Sequence, residues 1–353
     1  MFEDLLQAWY GEQVTVHFDE ASGAWMLIGV HSTTLGPAMG GTRLRAYRSP
    51  EEGLADVLRL SQAMTMKQSA AGLSFGGGKA VLAVRAVPPR GSAERRDLLL
   101  RHADLVESLR GTYVTAADMN TGQEDMDVVG ERTSHVLGRS PEHGGSGDPA
   151  GSTAIGVYHA IRASVRHAFG DDELAGRRVL VQGIGAVGER LAELLHEAGA
   201  GLVLSDLDDR RAVALAERTD AEVVPVHHVS HTECDVYSPC SIGGVLSAES
   251  IPMLRCRIVA GASNNQLSTD WDAARLRDRN ILYAPDYVIN AGGVIHLAGY
   301  ETLGWDDAAM MARLAGIGET LTGLFETAER EGITTAEAAD RLALERLEAA
   351  TPA

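Results

Sequence analysis

The chain is most distinctive for what it has little of. Only two of its 353 residues are lysines, Lys67 and Lys79, and arginine supplies the other 29 of the 31 basic side chains. The three cysteines, Cys234, Cys240 and Cys256, lack Cys-x-x-Cys spacing, and the twelve histidines form no ligand pattern, so no metal site is expected. An odd, small number of thiols is typical of buried free cysteines in a reducing compartment. We therefore expect a cytoplasmic protein.

The chain also lacks a surplus of positive charge. Its 49 acidic residues against 31 basic ones give a formal net charge of −18. Nucleic acids and anionic membranes bind to basic surfaces, so neither is expected as a main partner. We expect no signal peptide, and no apolar run is long enough to span a bilayer. A small-molecule ligand stays compatible with this charge, because a few local cations or one helix N-terminus can bind an anion.

The length of the chain favours two domains, since 353 residues exceed the usual size of one hydrophobic core. A glycine-rich segment with a proline, residues 144–151, is typical of a hinge, although a plain surface loop fits the same composition. We predict a substrate-binding and oligomerisation domain over residues 1–143 and a nucleotide-binding domain over residues 152–324. The C-terminal helices, about residues 325–353, are expected to pack back on the first domain.

Hydrophobic periodicity predicts a mixed α/β region followed by alternating strands and helices. In the first region the predicted strands are residues 14–18, 25–30, 80–84 and 112–116, and the predicted helices are residues 51–70 and 94–109. In the second region, predicted strands at 202–205, 236–237, 258–260 and 281–284 alternate with helical or loop stretches. Such alternation is typical of a parallel, doubly wound sheet. The predicted fold class is therefore α/β, with a mixed N-terminal domain and a Rossmann-type second domain.

A glycine-rich fingerprint lies where the second region begins. The run Gly183-Ile-Gly-Ala-Val-Gly188 follows a β-run, precedes a helix, and is followed about twenty residues later by Asp206. This context favours dinucleotide binding over a glycine-rich turn without ligand. Asp206 would bind the ribose hydroxyls and repel a 2′-phosphate, which favours NAD over NADP, although Arg210 and Arg211 weaken that preference. The candidate cofactor-binding residues here are Gly183, Gly185, Ala186, Val187, Gly188 and Asp206.

Both lysines have apolar or small neighbours. Lys67 lies near the end of a predicted helix, and Lys79 follows three glycines, just before a strand expected to begin at Ala80. Lysines usually lie among polar neighbours that keep the ammonium group hydrated. Apolar surroundings desolvate the ammonium group, and desolvation lowers the pKa of a lysine. A lysine with a lowered pKa can act as a base near neutral pH. The glycines before Lys79 indicate either a backbone that passes close to a ligand or a bulge with an exposed lysine.

Two other segments carry candidate site residues. Gly40 and Gly41 predict either a loop whose successive N–H groups receive an anion such as a carboxylate, or a simple turn. Asp118 follows a predicted strand, where α/β enzymes commonly place catalytic groups. An aspartate at such a position is more often a helix cap or a turn residue. Both interpretations stay open at these two segments.

Several runs occur in a fixed order across nearly the whole chain. They are Leu35-Gly-Pro-Ala-Met-Gly-Gly-Thr-Arg, Met64-Thr-Met-Lys, Gly76-Gly-Gly-Lys-Ala-Val, Asp125-Met-Asp, Gly138-Arg-Ser, Gly183-Ile-Gly-Ala-Val-Gly, Ala260-Gly-Ala-Ser-Asn-Asn-Gln-Leu and Tyr283-Ala-Pro-Asp-Tyr-Val-Ile-Asn-Ala-Gly-Gly-Val-Ile. This order resembles the Glu/Leu/Phe/Val dehydrogenase family, and the branch it looks most like is the actinobacterial type of phenylalanine and valine dehydrogenase. The resemblance implies a homo-oligomer with its active-site cleft between the two domains. The implied reaction is reversible, NAD-dependent oxidative deamination of a hydrophobic L-amino acid to its 2-oxo acid and ammonia.

The resemblance also implies roles for residues at matching positions. Lys79 would be the base that activates water, and Asp118 would exchange protons with the amino nitrogen. Lys67 would bind the substrate carboxylate with help from the Gly40 and Gly41 backbone. Family positions that contact the cofactor correspond to Thr153 and Asn264. Positions that line the side-chain pocket correspond to Met39, Ala116, Val294 and Leu297.

The substrate stays open among hydrophobic amino acids. All four pocket positions are apolar, so glutamate is not expected. Asn120 resembles the phenylalanine branch, where leucine and valine enzymes usually carry glycine, and the run His296-Leu-Ala-Gly-Tyr-Glu-Thr-Leu-Gly-Trp305 resembles that branch as well. By contrast, Val294 is bulkier than the small residue expected beside an aromatic ring. Two other interpretations remain: an enzyme of altered chemistry, such as an imine reductase, and a catalytically silent nucleotide-binding subunit.

Overall fold

The computed structural model describes residues 2–351 of the chain, and the side chains of residues 5–351. Residue 1 and residues 352–353, which the predicted domain limits include, lie outside the described residues. The α-helices are α1 Phe2–Trp9, α2 Pro50–Ala70, α3 Ala93–Ser108, α4 Gln123–Val129, α5 Ala150–Phe169, α6 Ala186–Glu197, α7 Asp209–Thr219, α8 Trp271–Asp278, α9 Asp286–Ile289, α10 Gly292–Glu301, α11 Asp307–Glu331 and α12 Thr335–Ala350. The β-strands are β1 Gln13–Asp19, β2 Ala24–Ser32, β3 Ala38–Ala46, β4 Gly76–Val84, β5 Tyr113–Ala117, β6 Arg178–Gln182, β7 Gly201–Ser205, β8 Glu222–Val223, β9 Val236–Pro239, β10 Ile258–Val259 and β11 Leu282–Tyr283.

The described chain separates into two compact units. The first unit comprises the residues up to Asp148, together with Tyr300–Gly304 and the chain from Ala343 onward. The second unit comprises Pro149–Gly299 and Trp305–Leu342. The chain thus leaves the first unit inside the predicted hinge segment, and its final return begins at Ala343 rather than near residue 325.

Local contacts explain where the C-terminal helices belong. In the second unit α11 packs against α5 at small residues, since a Cβ on Gly318 would lie 3.0 Å from the His159 carbonyl oxygen. In the first unit the end of α12 is hydrogen-bonded to the end of α2. The Ser69 hydroxyl donates to the Ala343 carbonyl at 2.6 Å, and Arg346 donates to the Ser69 carbonyl at 2.7 Å. Only the last turns of α12 are therefore held by the first unit.

The sheet of the first unit has the strand order β1-β2-β4-β3-β5, with β1, β2 and β4 antiparallel and β3 parallel to both its neighbours. Side chains alternate along β4 between two helical layers. Val81 packs with Leu54 and Val57 of α2, whereas Leu82 packs with Leu98 of α3. Lys79 has the same parity as Val81, so it points to the face of the sheet that α2 covers.

The structure excludes one of the two alternatives for Gly40 and Gly41, and it corrects the predicted start of β4. Gly40 and Gly41 lie inside β3 rather than in a turn, and β4 begins at Gly76, so Lys79 lies within a strand instead of before one. The glycines make room for the protein itself. A Cβ on Gly77 would lie 2.1 Å from the backbone nitrogen of Thr65 in α2. The close approach inferred from these glycines is therefore the packing of a helix onto the strand.

The second unit has an all-parallel sheet in the order β11-β10-β9-β6-β7-β8. The first strand in sequence, β6, lies at the centre, and the chain winds outward in both directions from it. This is the doubly wound order of dinucleotide-binding folds, in which the ligand lies at the carboxyl ends of the strands. The predicted fold class is confirmed.

No helix within residues 2–351 is both long and apolar enough to cross a membrane. The three cysteines are free thiols, with Cys256 buried and Cys234 and Cys240 partly so. Burial raises the pKa of each thiol, in the case of Cys256 to about 12. Because the thiolate is the reactive form, these cysteines are weak nucleophiles at neutral pH.

Candidate active site

The first unit brings Lys79 and Asp118 together across a third strand. The Lys79 Nζ lies 3.3 Å from Asp118 Oδ1, although β4 and the end of β5 are separated by β3. Gly41 is the β3 residue that makes this possible. A Cβ at Gly41 would lie 2.8 Å from the Asp118 Cβ and 2.5 Å from the Ala117 carbonyl oxygen. The ion pair therefore occupies the space that a side chain on β3 would otherwise fill.

Gly40 is constrained from another direction. A Cβ there would lie 1.7 Å from the Gly78 carbonyl oxygen, and the Tyr113 hydroxyl donates to the Gly40 carbonyl at 2.5 Å. The register of β3 on β4 pairs Met39 with Gly77 and Thr42 with Ala80, and the residues between them have no registered partner in β4 within the described chain. On their other side Gly40 and Gly41 pair with Thr115 and Ala116 of β5, so the main chain at the two glycines lies inside the sheet, with β4 and β5 on either side.

The loop that carries Asp118 is fixed to β3 by hydrogen bonds. The Thr121 hydroxyl donates to the Thr42 carbonyl at 2.7 Å and accepts from the Asp118 backbone N–H at 2.8 Å. Asn120 has a φ of +63°, and its side-chain amide donates to the Leu44 carbonyl at 3.0 Å. Glycine and asparagine are the residues that adopt this left-handed conformation most readily. The identity of Asn120 is therefore explained by the turn, without reference to a substrate.

Sequence reasoning missed Arg43. Its Nε lies 2.8 Å from Asp118 Oδ2, and a second nitrogen of its guanidinium lies 2.9 Å from Asp56 Oδ2. Asp56 also accepts hydrogen bonds from the Tyr47 hydroxyl at 2.6 Å and from Arg59 at 2.7 Å. The available signal was an arginine two residues beyond Gly41, in an otherwise small or apolar stretch of the strand and on the same face.

Burial and charge together lower the pKa values of both groups of the pair. Burial lowers the pKa of Lys79 below its ordinary value of 10.5, an effect that Asp118 opposes and Arg43 reinforces. For Asp118, burial alone would raise the pKa, but the charges of Lys79 and Arg43 outweigh it and hold the pKa at about 2. A carboxylate that stays ionised thus faces an amine that is more easily deprotonated than usual.

Lys67 lies in the last turn of α2 and is partly buried. Since α2 covers the face of the sheet to which Lys79 points, both lysines of the chain belong to the same side of the same unit. Met39 on β3 and Ala116 on β5 are buried in this unit as well, at 1% and 4% exposure. The predicted site residues of the first unit therefore lie on β3, β4 and β5, in the loop after β5, and on α2.

The second unit presents its glycine-rich turn at the carboxyl end of β6. Gly183 has a φ of +98°, and its N–H donates to the Ser205 carbonyl at 2.7 Å. A Cβ on Gly188 would lie 1.9 Å from the Gly183 carbonyl oxygen, so glycine is required for this turn to pack on α6. By contrast, a Cβ on Gly185 would meet no atom within 4 Å. Gly185 is thus open at the N-terminus of α6, where Ala186 and Val187 form the first turn and backbone N–H groups favour an anion.

Asp206 lies at the carboxyl end of the adjacent strand, β7. Its carboxylate accepts hydrogen bonds from the backbone N–H groups of Ile184 at 2.6 Å and of Asp208 at 2.8 Å. It therefore ties the glycine-rich turn to the next strand. A carboxylate has about four lone-pair positions, so two remain for further donors such as ribose hydroxyls. Arg210 is paired with Asp208 at 3.0 Å and exposed.

The remaining predicted residues of the second unit lie near the same edge. Asn264 is exposed after β10, and its Oδ1 accepts a hydrogen bond from the side-chain amide of Asn290 at 2.8 Å. The sequence did not single out Asn290. Thr153 lies in the first turn of α5, where a Cβ on Gly293 of α10 would approach its hydroxyl to 3.0 Å. Val294 is partly buried and Leu297 is buried on α10. The first turns of α5 and α10 therefore form one surface.

Comparison with known proteins agrees with this architecture. A family model for the Glu/Leu/Phe/Val dehydrogenase dimerisation domain matches residues 13–135, and one for glutamate/leucine/phenylalanine/valine dehydrogenase matches residues 144–213 and 204–353. Leucine dehydrogenase of Thermoactinomyces intermedius is 42% identical, with 98% of this chain and 93% of that protein covered. Valine dehydrogenase of Streptomyces virginiae is 44% identical, with 95% and 93% covered. L-tryptophan dehydrogenase from Nostoc punctiforme is a structural neighbour with a TM-score of 0.84 at 36% identity, with 99% of each chain covered.

The fold is thus that of the two-domain amino-acid dehydrogenases. The chain belongs to the Glu/Leu/Phe/Val dehydrogenase family, as its sequence runs predicted, and it is an oxidoreductase. The family model that covers its first unit is described as a dimerisation domain.

Gly41→Ala tests whether the ion pair depends on an empty position in β3. The new methyl group would displace Asp118 from Lys79, so we expect kcat for amino-acid oxidation to fall by about two orders of magnitude, as for loss of a positioned proton-transfer group. Gly122→Ala is the matched control, because a Cβ there meets no atom within 4 Å. Steady-state kinetics at saturating cofactor would measure both variants. Equal kcat values for Gly41→Ala and the wild type would contradict this account.

Proposed function

We propose that the protein catalyses reversible, NAD-dependent oxidative deamination of a hydrophobic L-amino acid. The observation that carries the proposal is the pair of buried Lys79 and partly buried Asp118, whose charged atoms lie 3.3 Å apart and whose pKa values are both lowered. Such a pair supplies both groups that the reaction needs, a base for water and a carboxylate for a cationic intermediate. The relatives named leucine, valine and tryptophan dehydrogenase support the same class of substrate.

The substrate carboxylate is proposed to bind Lys67 and the main chain at Gly40 and Gly41. Lys67 is the one lysine besides Lys79, so the chain has a single further ammonium group for this purpose. Gly40 and Gly41 lie on β3, between the strand of Lys79 and the strand that precedes Asp118, which supports a main-chain contribution beside this pair. Binding the carboxylate there would direct the amino group and Cα of the substrate towards Lys79, which lies on the adjacent strand.

Lys79 and Asp118 are proposed to divide the proton transfers. Loss of hydride from Cα leaves an iminium cation on the substrate. Neutral Lys79 would remove a proton from the water that attacks this carbon, and ionised Asp118 would stabilise the positive charge nearby. The proton taken from water would pass from Lys79 to Asp118 and from there to the amino nitrogen, and Lys79, neutral again, would accept the hydroxyl proton as the C–N bond breaks and ammonia leaves. A protonated Lys79 could not start this sequence, so oxidation should increase as the pH rises through its pKa.

NAD is proposed as the cofactor, and when bound it accepts the hydride. The residues present fit a dinucleotide. Gly185 is open at the N-terminus of α6, Gly183 and Gly188 allow the close turn, and Asp206 keeps free acceptor positions for ribose hydroxyls. The other proposed contacts are Ala186, Val187, Thr153 and Asn264. The carboxylate of Asp206 favours NAD over NADP, since it would repel a 2′-phosphate.

Branched aliphatic substrates are proposed to be preferred over aromatic ones. The proposed selecting residues are apolar in each unit: Met39 and Ala116 in the first, Val294 and Leu297 in the second. Val294 is larger than the small residue expected beside an aromatic ring. Asn120, which favoured phenylalanine, is accounted for by its backbone conformation and its hydrogen bond to Leu44. The leucine and valine dehydrogenases at 42% and 44% identity support the same preference.

The protein is also proposed to be a cytoplasmic homo-oligomer. The edge strand β1 supports self-association, because Val16 and Phe18 are each 45% exposed on it and its outer edge has no partner strand within the described residues. The three free thiols support a reducing compartment. Analytical ultracentrifugation of the purified chain would detect the assembly, and a monomer at micromolar concentration would contradict it.

An amino-acid panel with NAD and NADP tests the proposed reaction and the proposed preference. We expect reduction of NAD with leucine and valine, weaker activity with phenylalanine, and none with glutamate.

Val294→Ala should raise the kcat/KM ratio of phenylalanine to leucine by about 10- to 100-fold, since a small change in pocket volume is worth about 1–3 kcal/mol. Absorbance of the reduced cofactor measures all of these rates. If no amino acid is oxidised but a preformed imine is reduced, an imine reductase is favoured. If neither reaction occurs, a catalytically silent subunit is favoured.

Lys79→Ala tests the proposed base. Without an amine at this position water is not activated, so we expect turnover to become undetectable in a stopped-flow assay of NADH formation. Binding of NAD, measured by calorimetry, should be retained, because the proposed cofactor residues lie in the other unit. A small primary amine such as methylamine should restore part of the activity if the lost function is that of a base. Turnover near the wild-type rate would refute the role of Lys79.

A further inference from the structure

Arg43 connects the carboxylate proposed for proton transfer to a second carboxylate on α2. Its guanidinium is 13% exposed and donates to Asp118 Oδ2 at 2.8 Å and to Asp56 Oδ2 at 2.9 Å. We propose that Arg43 is a positioning residue for the reaction, which fixes one oxygen of Asp118 so that the other stays directed at Lys79. The inference rests on the proposed function, because it assigns Arg43 a part in the same deamination.

The geometry assigns the two oxygens of Asp118 to different partners. Oδ2 receives the hydrogen bond from Arg43, and Oδ1 faces the Lys79 ammonium at 3.3 Å. A carboxylate held at one oxygen cannot rotate freely about its Cβ–Cγ bond. The oxygen that faces Lys79 is therefore kept available for the substrate nitrogen, while the oxygen bonded to Arg43 is excluded from that exchange.

Asp56 keeps Arg43 itself in place. It is 13% exposed and accepts hydrogen bonds from three side chains: Arg43, the Tyr47 hydroxyl at 2.6 Å and Arg59 at 2.7 Å. These donors come from β3, from the segment before α2 and from α2. A planar guanidinium can address two carboxylates in two directions at once, which a lysine ammonium on a flexible stem cannot do with the same geometry.

The charge of Arg43 has a second consequence, for Lys79. The charges that act on the pKa of this amine belong to Asp118 after β5, Arg43 on β3 and Asp56 on α2. The titratable groups on the neighbouring elements are Tyr47, Arg59 and Lys67 on or beside α2, and His31 on β2, which is hydrogen-bonded to Thr65 of α2. Burial is the main cause of the lowered pKa of Lys79, and the positive charge of Arg43 lowers it further against the effect of Asp118. Removal of this charge should therefore raise the pKa of Lys79 and move the onset of amino-acid oxidation to higher pH.

Arg43→Gln and Arg43→Lys test the inference in the full-length enzyme with NAD and its best amino acid. For Arg43→Gln we expect kcat to fall about 100-fold, KM for NAD to change by less than about twofold, and the acidic limb of the kcat/KM profile to move to higher pH. For Arg43→Lys the charge is kept, so the acidic limb should stay near its wild-type position while kcat remains reduced by about tenfold. A purely structural role would lower stability without separating these two effects.

Arg48→Gln is the matched control, because it removes the same charge from a side chain that is 93% exposed and makes a long ion pair, 3.9 Å, with Glu52. It should leave kcat and the pH profile unchanged. Wild-type kcat together with a wild-type pH profile in Arg43→Gln would overturn the inference. If Arg43→Gln does not fold, Arg43→Lys decides: wild-type kcat in that variant would show that the dual guanidinium contact is unnecessary.

A readout without turnover separates this inference from the proposed function. In protein labelled with ¹³C at the lysine ε-carbon, the Lys79 signal should titrate at higher pH in Arg43→Gln than in the wild type. If the wild type oxidised no amino acid, the proposed function would fail while this shift would still report on Arg43. An unchanged titration of Lys79 would count against Arg43 in either case.

Discussion

The site in the first unit depends on one steric constraint, which is the absence of a side chain at Gly41. Lys79 lies on β4 and Asp118 directly follows β5, on opposite sides of β3. Their ion pair spans β3 at Gly41, where a side chain would collide with Asp118. Gly77 of β4 contributes as well, because the absence of its side chain lets α2 pack directly on the strand beside Lys79, which is buried. Burial then lowers the pKa of the amine, and a desolvated amine with an ionised partner is what the proposed reaction requires.

The same constraint explains the connections around Asp118. Asp118 lies close to Gly41 of β3. Hydrogen bonds from Thr121 and Asn120 fix its loop to β3, and Arg43 binds its carboxylate. Each of these interactions involves a different atom of the loop, so the position of the carboxylate is determined several times over. In the second unit Asp206 plays a comparable part, since it joins the glycine-rich turn to the neighbouring strand through two backbone N–H groups. Rigid elements thus present both sets of proposed site residues.

Sequence predicted the fold class, the family and most elements, because hydrophobic periodicity and ordered motifs are local signals. It placed Asp118 after a strand and Lys67 near the end of a helix, and both placements agree with the structure. It left Gly40 open and misplaced the start of β4, because glycine runs that permit close packing look the same in sequence as those that form turns. Arg43 was missed since its partners, Asp118 and Asp56, lie 75 and 13 residues away. Contacts over such separations depend on strand order, which residue patterns alone do not specify.

Lys79 carries an amine whose pKa is lowered from its ordinary value by burial, beside an ionised Asp118. The composition of the chain makes this directly measurable, because ¹³C labelling at the lysine ε-carbon gives only two side-chain signals, from Lys67 and Lys79. A pH titration followed by NMR, with Lys79→Arg to assign the signals, should show one lysine that titrates below pH 10.5 and disappears in the variant. Titration of both lysines at or above pH 10.5 would contradict the account.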